Sequence, residues 1–532
     1  MSDAEKPNAN DHNRASQNLD TDKLDINNPD TRNLSALDAS LLGAVLLLVL
    51  GGAIGLFGSD SLSGATQVAM MTTGFLAALV GLKNGIRWSE IEASIIQATA
   101  RTAVPNLIFL SVGALIGAMM LSGAVPTLLF VGMKLLSPEW FYPSCCLICA
   151  LVSICIGSSW TTAATIGVAM IGVAYGFSLS PAITAGAVVS GAYFGDKMSP
   201  LSETTNLAPA IAGSNLFTHI RHMSWVSVPS IVLALLFFFM VSVFTSADNA
   251  QDSQITAFLS ALESAYTIAW YNLIPVVLLL VLAVKKVPAY LAITGVTLIA
   301  MTLALLTQMP VVNQFIALLG LEGSSALGRA LWVALYDGFM INTGNEQVNS
   351  LLSRGGMLSM VNMVWLVLAS MMMTGVLERI GFVTYLMRAL SKLISSTGSL
   401  IATTMGTCLG VNVLTGDQYL SIVLPGQMWK AEYKKRGLAS ENLSRSLEDG
   451  GTITSPLIPW NACGVYMAGT LQVATLAYLP FCFFNLINPL LALLYGFLNI
   501  RIVRISDEEI GEEEKSPREL PADAQEKPAI AG

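Results

Sequence analysis

The sequence predicts an all-α polytopic membrane protein, built as two inverted-topology repeats with broken helices and re-entrant or half-helix hairpins, with roughly 11–13 transmembrane segments. Three observations carry that expectation. The 532 residues are 54% hydrophobic and only 12% charged, with a mean hydropathy of +0.64, where a soluble domain is nearer about a quarter charged. Apolar runs of about 20 residues recur between short polar loops, without the strict alternation of a membrane barrel. Dense polar patches interrupt some of these runs, and the patches recur in register.

The charge is unevenly placed. Residues 1–40 hold eight acids against four bases, and residues 505–532 nine against three, so the core carries a slight positive excess although the chain totals −8. Both ends are polar and poor in aromatics, and read as disordered acidic tails (1–40 and 501–532). The start lacks the basic-then-apolar pattern of a signal peptide. No basic patch interleaved with aromatics suggests nucleic acid. Seven cysteines lie in apolar stretches; Cys146-x-x-Cys149 has redox or metal spacing but no second pair and no nearby His, so they read as packing residues. No cofactor is indicated, and no nucleophile–base pairing suggests an enzyme.

The first spans are 38–57 and 64–82. Lys83, Arg87 and Arg101 follow the second span, and the positive-inside rule places the N-terminus and the 83–101 loop in the cytoplasm. Residues 88–100 read as an amphipathic surface helix. A third span covers 105–122. Segments 126–136 and 143–156 are too short to cross, and the second ends in Gly157-Ser158-Ser159-Trp160-Thr161-Thr162 before apolar sequence resumes, the pattern of a broken helix. Residues 181–213 are apolar except for Asp196 to Asn206. A clean span at 225–244 follows His219 and His222, which read as surface residues at a cytoplasmic end. Segment 245–265 reads as external; 272–284 and 288–307 span. The polar cluster Asp337, Asn342, Asn345 and Glu346 has no assigned role.

From Met360 the pattern returns, and 400–409 runs into a polar break from Gly410 to Asp417. Gly195, Ser199, Pro200, Leu201, Ala212 and Gly213 match Gly451, Ser455, Pro456, Leu457, Ala468 and Gly469 at one constant offset. Two transport repeats, 105–245 and 358–500, are therefore expected, preceded by helices in 41–104 and joined by a loop and helices in 246–357. Bases follow the first motif but precede the second (Lys430, Lys434, Lys435, Arg436 and Arg445), which inverts one repeat against the other. Paired broken helices in inverted repeats are a secondary-transporter architecture, with the site near the midplane.

Ionisable groups inside a membrane cost about 2.5–3.5 kcal/mol each on insertion scales, so those retained there have a use or a partner. Broken helices expose carbonyls at one half-end and N–H groups at the other, and hydroxyl, amide and carboxylate oxygens complete a shell suited to a small hard cation. The candidate ion- or substrate-binding residues are Asp196, Ser158, Thr161, Thr162, Ser199, Glu203, Thr205 and Asn206 in the first half. In the second they are Asn412, Thr415, Asp417, Asp449, Thr454, Ser455 and Asn461. Asp196 is the expected coupling carboxylate and Na+ ligand, holding a proton or a cation but not both, because burial disfavours its uncompensated ion. The alternative is a purely structural pairing of Lys197 with Asp196 or Glu203. Lys197 and Glu203 lack counterparts in the second half.

The run Gly191-Ala192-Tyr193-Phe194-Gly195-Asp196-Lys197-Met198-Ser199-Pro200-Leu201-Ser202-Glu203-Thr204-Thr205-Asn206-Leu207-Ala208-Pro209-Ala210 resembles the signature of the NhaC family of Na+/H+ antiporters. The likeness continues through Gly213 and Thr218 to His222, and the order of elements fits from about residue 40 to 500. Glu203 stands where the family pattern has Asp, which adds a methylene beside the expected ion path. The resemblance implies a cytoplasmic-membrane, multi-pass antiporter with both termini in the cytoplasm, exporting Na+ in exchange for H+. It leaves room for a carrier that exchanges small organic anions, malate for lactate, with Na+ and H+, or for an amino-acid carrier. The expected partners are Na+, H+ and the lipid bilayer, with a small organic anion and a homodimer as further options.

Overall fold

The computed structural model describes residues 34–245, 252–391 and 394–505. Both predicted tails therefore fall largely outside the described residues, as does 246–251. Within the described residues the regular structure is helical, apart from one isolated bridge between Leu438 and Arg504. Among the described residues, eight helices are long and apolar enough to cross a membrane, or up to ten segments if each of two bent pairs is one span, fewer than the 11–13 expected. Four further apolar helices are shorter, with 10–17 residues each.

α1 (Ala36–Phe57) and α2 (Ala65–Lys83) form an antiparallel pair, closed by an Asp38–Lys83 ion pair at 2.8 Å. The outward leucines of α1, such as Leu37 and Leu48, are over 70% exposed, as suits a helix facing lipid. α3 (Trp88–Ala100) is the predicted amphipathic helix. It buries Ile91 and Ala98 and donates from Ser94 Oγ to the Gly375 carbonyl of a later helix at 2.7 Å.

α4 (Ala103–Leu121), the short α5 (Ala124–Leu135) and α6 (Phe141–Ile156) follow. α6 stops at Gly157 in the left-handed conformation (φ 74°). The chain resumes as α7 (Ser159–Thr162), a π-turn over Ala163–Gly167 and α8 (Val168–Gly176). α9 (Pro181–Met198) lies on α6 with backbone against backbone. A Cβ at Gly191 would meet the Cys146 carbonyl at 2.1 Å, and one at Gly195 the Ala150 carbonyl at 2.4 Å. After a break at 199–202 come α10 (Glu203–Ala212) and the 30-residue α11 (Leu216–Thr245). α11 starts nine residues earlier than the predicted span, so His219 and His222 lie inside it.

α12 (Asp252–Ala265) is a helix where an external loop was expected, and it meets the segment containing α13 (Ile274–Val284) at a 91° bend. α14 (Ala289–Thr307), α15 (Met309–Leu318), α16 (Ala326–Tyr336) and α17 (Glu346–Leu352) complete the middle third. The unassigned polar cluster is largely a capping network: Asn345 Oδ1 accepts from the backbone N–H groups of Gln347 and Val348 at the start of α17.

The order of α4 to α11 then recurs. α18 (Val361–Arg379), α19 (Phe382–Ser391) and α20 (Thr397–Thr415) lead to a left-handed Gly416 (φ 63°), as α4 to α6 lead to Gly157. The helix runs unbroken through Asn412, so the predicted break at Gly410 begins six residues later. α21 (Leu420–Lys435) and α22 (Ser440–Leu447) follow, then a π-turn over Glu448–Thr452 and a 3-10 turn over Ser455–Leu457. α23 (Ala462–Leu471), α24 (Thr475–Tyr478) and α25 (Phe483–Phe497) end the fold.

The single offset between the halves is corrected here. Gly213 caps α10 in the left-handed conformation, but its counterpart capping α23 is Gln472 (φ 57°), whereas Gly469 is inside the helix. Ile458, Pro459 and Trp460 lengthen the second break. Likewise it is Gly450 that lies against α20, where a Cβ would meet the Met405 Cα at 2.7 Å, while Gly451 faces Ser421 of α21.

Candidate functional site between the helix breaks

Each half contains two helix breaks, and within each half the two breaks touch. A Cβ at Gly157 would lie 2.7 Å from the Leu201 backbone. In the second half Gly416 accepts a hydrogen bond from the Ala462 N–H at 2.9 Å. Glycine is needed at both positions, for its left-handed φ and for this close approach.

Every resumed half helix is capped by a side chain, as its unpaired N–H groups require. Ser158 Oγ accepts from Thr161 N–H (3.2 Å) and Ser202 Oγ from Thr205 N–H (3.4 Å). Asp417 Oδ1 accepts from Tyr419 and Leu420 N–H (2.7 and 3.1 Å), and Asn461 Oδ1 from Cys463 N–H (3.0 Å). Ser158, Asp417 and Asn461 are thus caps as well as candidate ligands.

Asp196, near the end of α9, is 7% exposed. Its Oδ2 accepts from both the N–H (3.1 Å) and the Oγ (2.7 Å) of Ser159, at the N-terminus of α7. A carboxylate at a helix N-terminus is favourably placed for the dipole and for the free N–H groups. Thr205 Oγ1 donates to the carbonyls of Asp196 and Lys197 at 3.2 and 3.1 Å, so the open end of α9 is closed by a hydroxyl from α10. Thr161 and Thr162 lie in α7; the Thr162 hydroxyl donates to the Ser158 carbonyl at 2.9 Å. Ser199 shapes the break by accepting from Leu201 N–H at 3.2 Å. Asn206 is exposed and turned back onto the Pro200 and Ser202 carbonyls.

The second half is held by Asn412. Its Nδ2 donates to the Gly451 carbonyl (2.6 Å) and to Thr454 Oγ1 (3.1 Å), and its Oδ1 accepts from Asn461 Nδ2 (2.9 Å). Ser455 Oγ bonds Gln418 Oε1 at 3.0 Å, and Thr415 Oγ1 donates to the Val411 carbonyl at 2.9 Å.

Among the contacts that join the halves, two involve carboxylates of the candidate site. Lys197 forms an ion pair with Asp449 in which neither side chain has any exposure. Tyr419, in the break of the second half, donates its hydroxyl to Glu203. Both pairings expected for Lys197 are thereby replaced, and neither Lys197 nor Glu203 serves one half alone. Trp160 and Tyr466 stack across the halves, with centroids 4.2 Å apart and planes 13° off parallel.

Around Asp449 lies a buried charged cluster that the sequence reading missed in part. Arg445, counted there as a cytoplasmic loop base, is fully buried with its Nε 3.9 Å from Asp449 Oδ2. Glu448 is fully buried as well. His219 and His222 are buried too. His219 Nδ1 meets Ser444 Oγ at 2.7 Å, and His222 lies between the Glu441 and Arg501 carbonyls and Arg445. The available signal was helical spacing: Arg445, Glu448 and Asp449 share one helix face. Among the described residues no group of three His, Cys, Asp or Glu side chains has a metal-holding arrangement. Of the cysteines, Cys155 alone is exposed, and all seven are free.

The arrangement offers opposed helix ends, oxygen-rich caps and, in Asp196, a buried carboxylate that makes no ion pair among the described residues, which suits binding and release of a small cation. Comparison with known proteins points the same way. Residues 191–500 match the Na+/H+ antiporter family. The Na+/H+ antiporter NhaC of Alkalihalophilus pseudofirmus is 40% identical over 80% of this chain and 89% of its own length. NhaC of Bacillus subtilis is 36% identical over 78% and 88% respectively. The malate-2H+/Na+-lactate antiporter of Bacillus subtilis is 32% identical over 81% of this chain and 89% of its own.

Proposed function

The chain belongs to the Na+/H+ antiporter family, and on that footing we propose that Asp196 is the group for which its two ions compete. The protein is a secondary transporter of many membrane helices, exchanging Na+ for H+; it is not an enzyme. Na+ leaves the cell as H+ enters, by alternating access across the cytoplasmic membrane, with both termini in the cytoplasm. The two stretches 105–245 and 358–500 act as inverted repeats moving about the shared breaks.

The observation that carries this reading is the partnering of Lys197. Because Lys197 is taken by Asp449, Asp196 makes no ion pair among the described residues; its carboxylate accepts from Ser159 at the N-terminus of α7, with the Ser202 hydroxyl also beside it. Such a carboxylate is stabilised by binding either a proton or a cation. Na+ enters as the proton leaves, and one bound ion excludes the other. Ser158, Thr161, Thr162, Ser199, Glu203, Thr205 and Asn206 line or shape the first break. Asn412, Thr415, Asp417, Asp449, Thr454, Ser455 and Asn461 do so for the second.

An organic-acid carrier would need a free base to receive a carboxylate. Lys197, the base within the first break, is occupied by Asp449. The test is a proton gradient across everted vesicles, challenged with Na+ in the presence and absence of malate and lactate. Na+ alone collapses the gradient, and Asp196→Asn abolishes the response. Exchange that requires an added organic acid would overturn the ion assignment; undiminished exchange in the variant would overturn the role of Asp196.

A further inference from the structure

A second carboxyl in the same membrane interior also lacks a partner. Glu448 begins the π-turn after α22 and has no exposure, and neither of its carboxyl oxygens takes part in a hydrogen bond. Buried polar atoms on its own turn, and on α25 packed against that turn, also lack hydrogen-bond partners. Thr452 lies one turn on, with its hydroxyl beside the Glu448 carboxyl yet making no completed hydrogen bond. Asn488 gives its Nδ2 to Asp449 at 2.6 Å and keeps its buried Oδ1 free, and Asp449 Oδ2 is without a hydrogen bond. Asn485 likewise spends its Nδ2 on the Ile453 carbonyl and leaves its Oδ1 free. A π-turn places an extra residue in the helix and is a frequent feature of functional sites.

The charged groups around Glu448 do not neutralise it. Lys197 from α9 is engaged by Asp449, and Arg445 from α22 faces the remaining Asp449 oxygen. Asp196 from α9 is within electrostatic reach and has the same sign, and Cys408 contributes a thiol from α20. Two bases thus stand against three carboxyls, and Glu448 is the one whose two oxygens complete no hydrogen bond. A buried ionised carboxylate without donors costs far more than a proton or a cation bound there.

Extending the reading of Asp196 given above, on which it rests, we infer that Glu448 is a second exchange site. The Glu448 carboxyl carries a proton in the ion-free protein. When that proton leaves to solvent, a hard monovalent cation binds the carboxylate, with Thr452 Oγ1 and amide oxygens of Asn485 and Asn488 as further ligands. The site takes Na+ by the same oxygen chemistry as the first, and its elements belong to the second half as those of Asp196 belong to the first. Two carboxyls, each next in the chain to one member of the Lys197–Asp449 bridge, then exchange ions in one transport unit.

Two measurements test this. Na+ is added to the purified full-length protein in detergent at weak buffering, and released protons are counted with an indicator dye. Glu448→Gln lowers the protons released per protein to about half, Asp196→Asn lowers them to a similar extent, and the double variant releases none. Release from Glu448→Gln equal to that of the unmodified protein overturns the proposal. A full release from Asp196→Asn, with a reduced one from Glu448→Gln, would instead overturn the role of Asp196 and leave Glu448 standing. The second measurement needs no variant. Dicyclohexylcarbodiimide modifies only protonated carboxyls, so the peptide carrying Glu448 gains its mass, and Na+ suppresses the gain where K+ does not. No modification, or modification indifferent to Na+, overturns the proposal even if Glu448→Gln fails to fold.

Discussion

Lys197 of α9 and Asp449 of the π-turn after α22 form an ion pair with no exposure on either side, and it is a direct charge contact between the two halves of the molecule. In such a setting desolvation opposes Coulomb attraction, and removal of one partner strands the other.

Lys197→Met and Asp449→Asn are each expected to lower stability by about 3–5 kcal/mol, and the double variant by less than the sum. Thermal unfolding of the purified protein, read as a double-mutant cycle, checks it. Additive losses would show that the bridge is not a coupled unit.

Ser159→Ala removes the 2.7 Å hydroxyl bond to Asp196 but leaves the backbone N–H. A hydrogen bond to a charged group contributes about 1.5–3 kcal/mol, so the Na+ concentration for half-maximal exchange should rise on the order of tenfold. Vesicle titrations of Na+ measure it, and an unchanged value would separate Ser159 from ion binding.

Gly191→Ala and Gly195→Ala force a Cβ into backbone carbonyls of α6, whereas a Cβ at Gly406 meets nothing within 4 Å. The first two variants should be recovered in lower yield and melt earlier. Gly406→Ala, in a helix interior, should be neutral or gain about 0.5–1 kcal/mol. Equal behaviour of all three would mean that α6 and α9 can separate without cost.

Asn412→Ala leaves the Gly451 carbonyl and the Asn461 amide short of partners, at about 1–3 kcal/mol for each buried group. Reduced melting temperature together with reduced exchange is expected, since the same side chain holds two breaks in place. A variant that transports normally would make Asn412 dispensable to the site.

Outside the membrane-spanning segments, Glu90 on α3 is held below the ordinary carboxyl range, first by Arg87 and then by Arg379. Its contribution to stability is therefore present above the unfolded-state value and is lost as pH falls through the lower folded-state value. That window is acidic, so Glu90→Gln should leave the pH profile of exchange unchanged near neutrality. A displaced profile in vesicle assays would place pH sensing at α3.

The sequence by itself determined that the chain is a helical membrane protein and where its helices break. Hydropathy is a local property, and glycine beside hydroxyls or proline favours a break in a helix wherever it falls. Asp196 stood out as a candidate, because an acid inside an apolar run is conspicuous without any partner being known. Only the tertiary structure decided which groups pair. Lys197 was read against its neighbours Asp196 and Glu203, yet it meets Asp449 some 250 residues away. His219 and His222 read as surface residues and Arg445 as a loop base, yet all three are buried, because α11 and α22 meet through them. The offset between the halves drifted for a related reason. A π-turn and a three-residue insertion each shift register without changing composition, so only the backbone shows that Gln472, not Gly469, answers Gly213. Pairing depends on distances between elements remote in the chain, which no local pattern encodes.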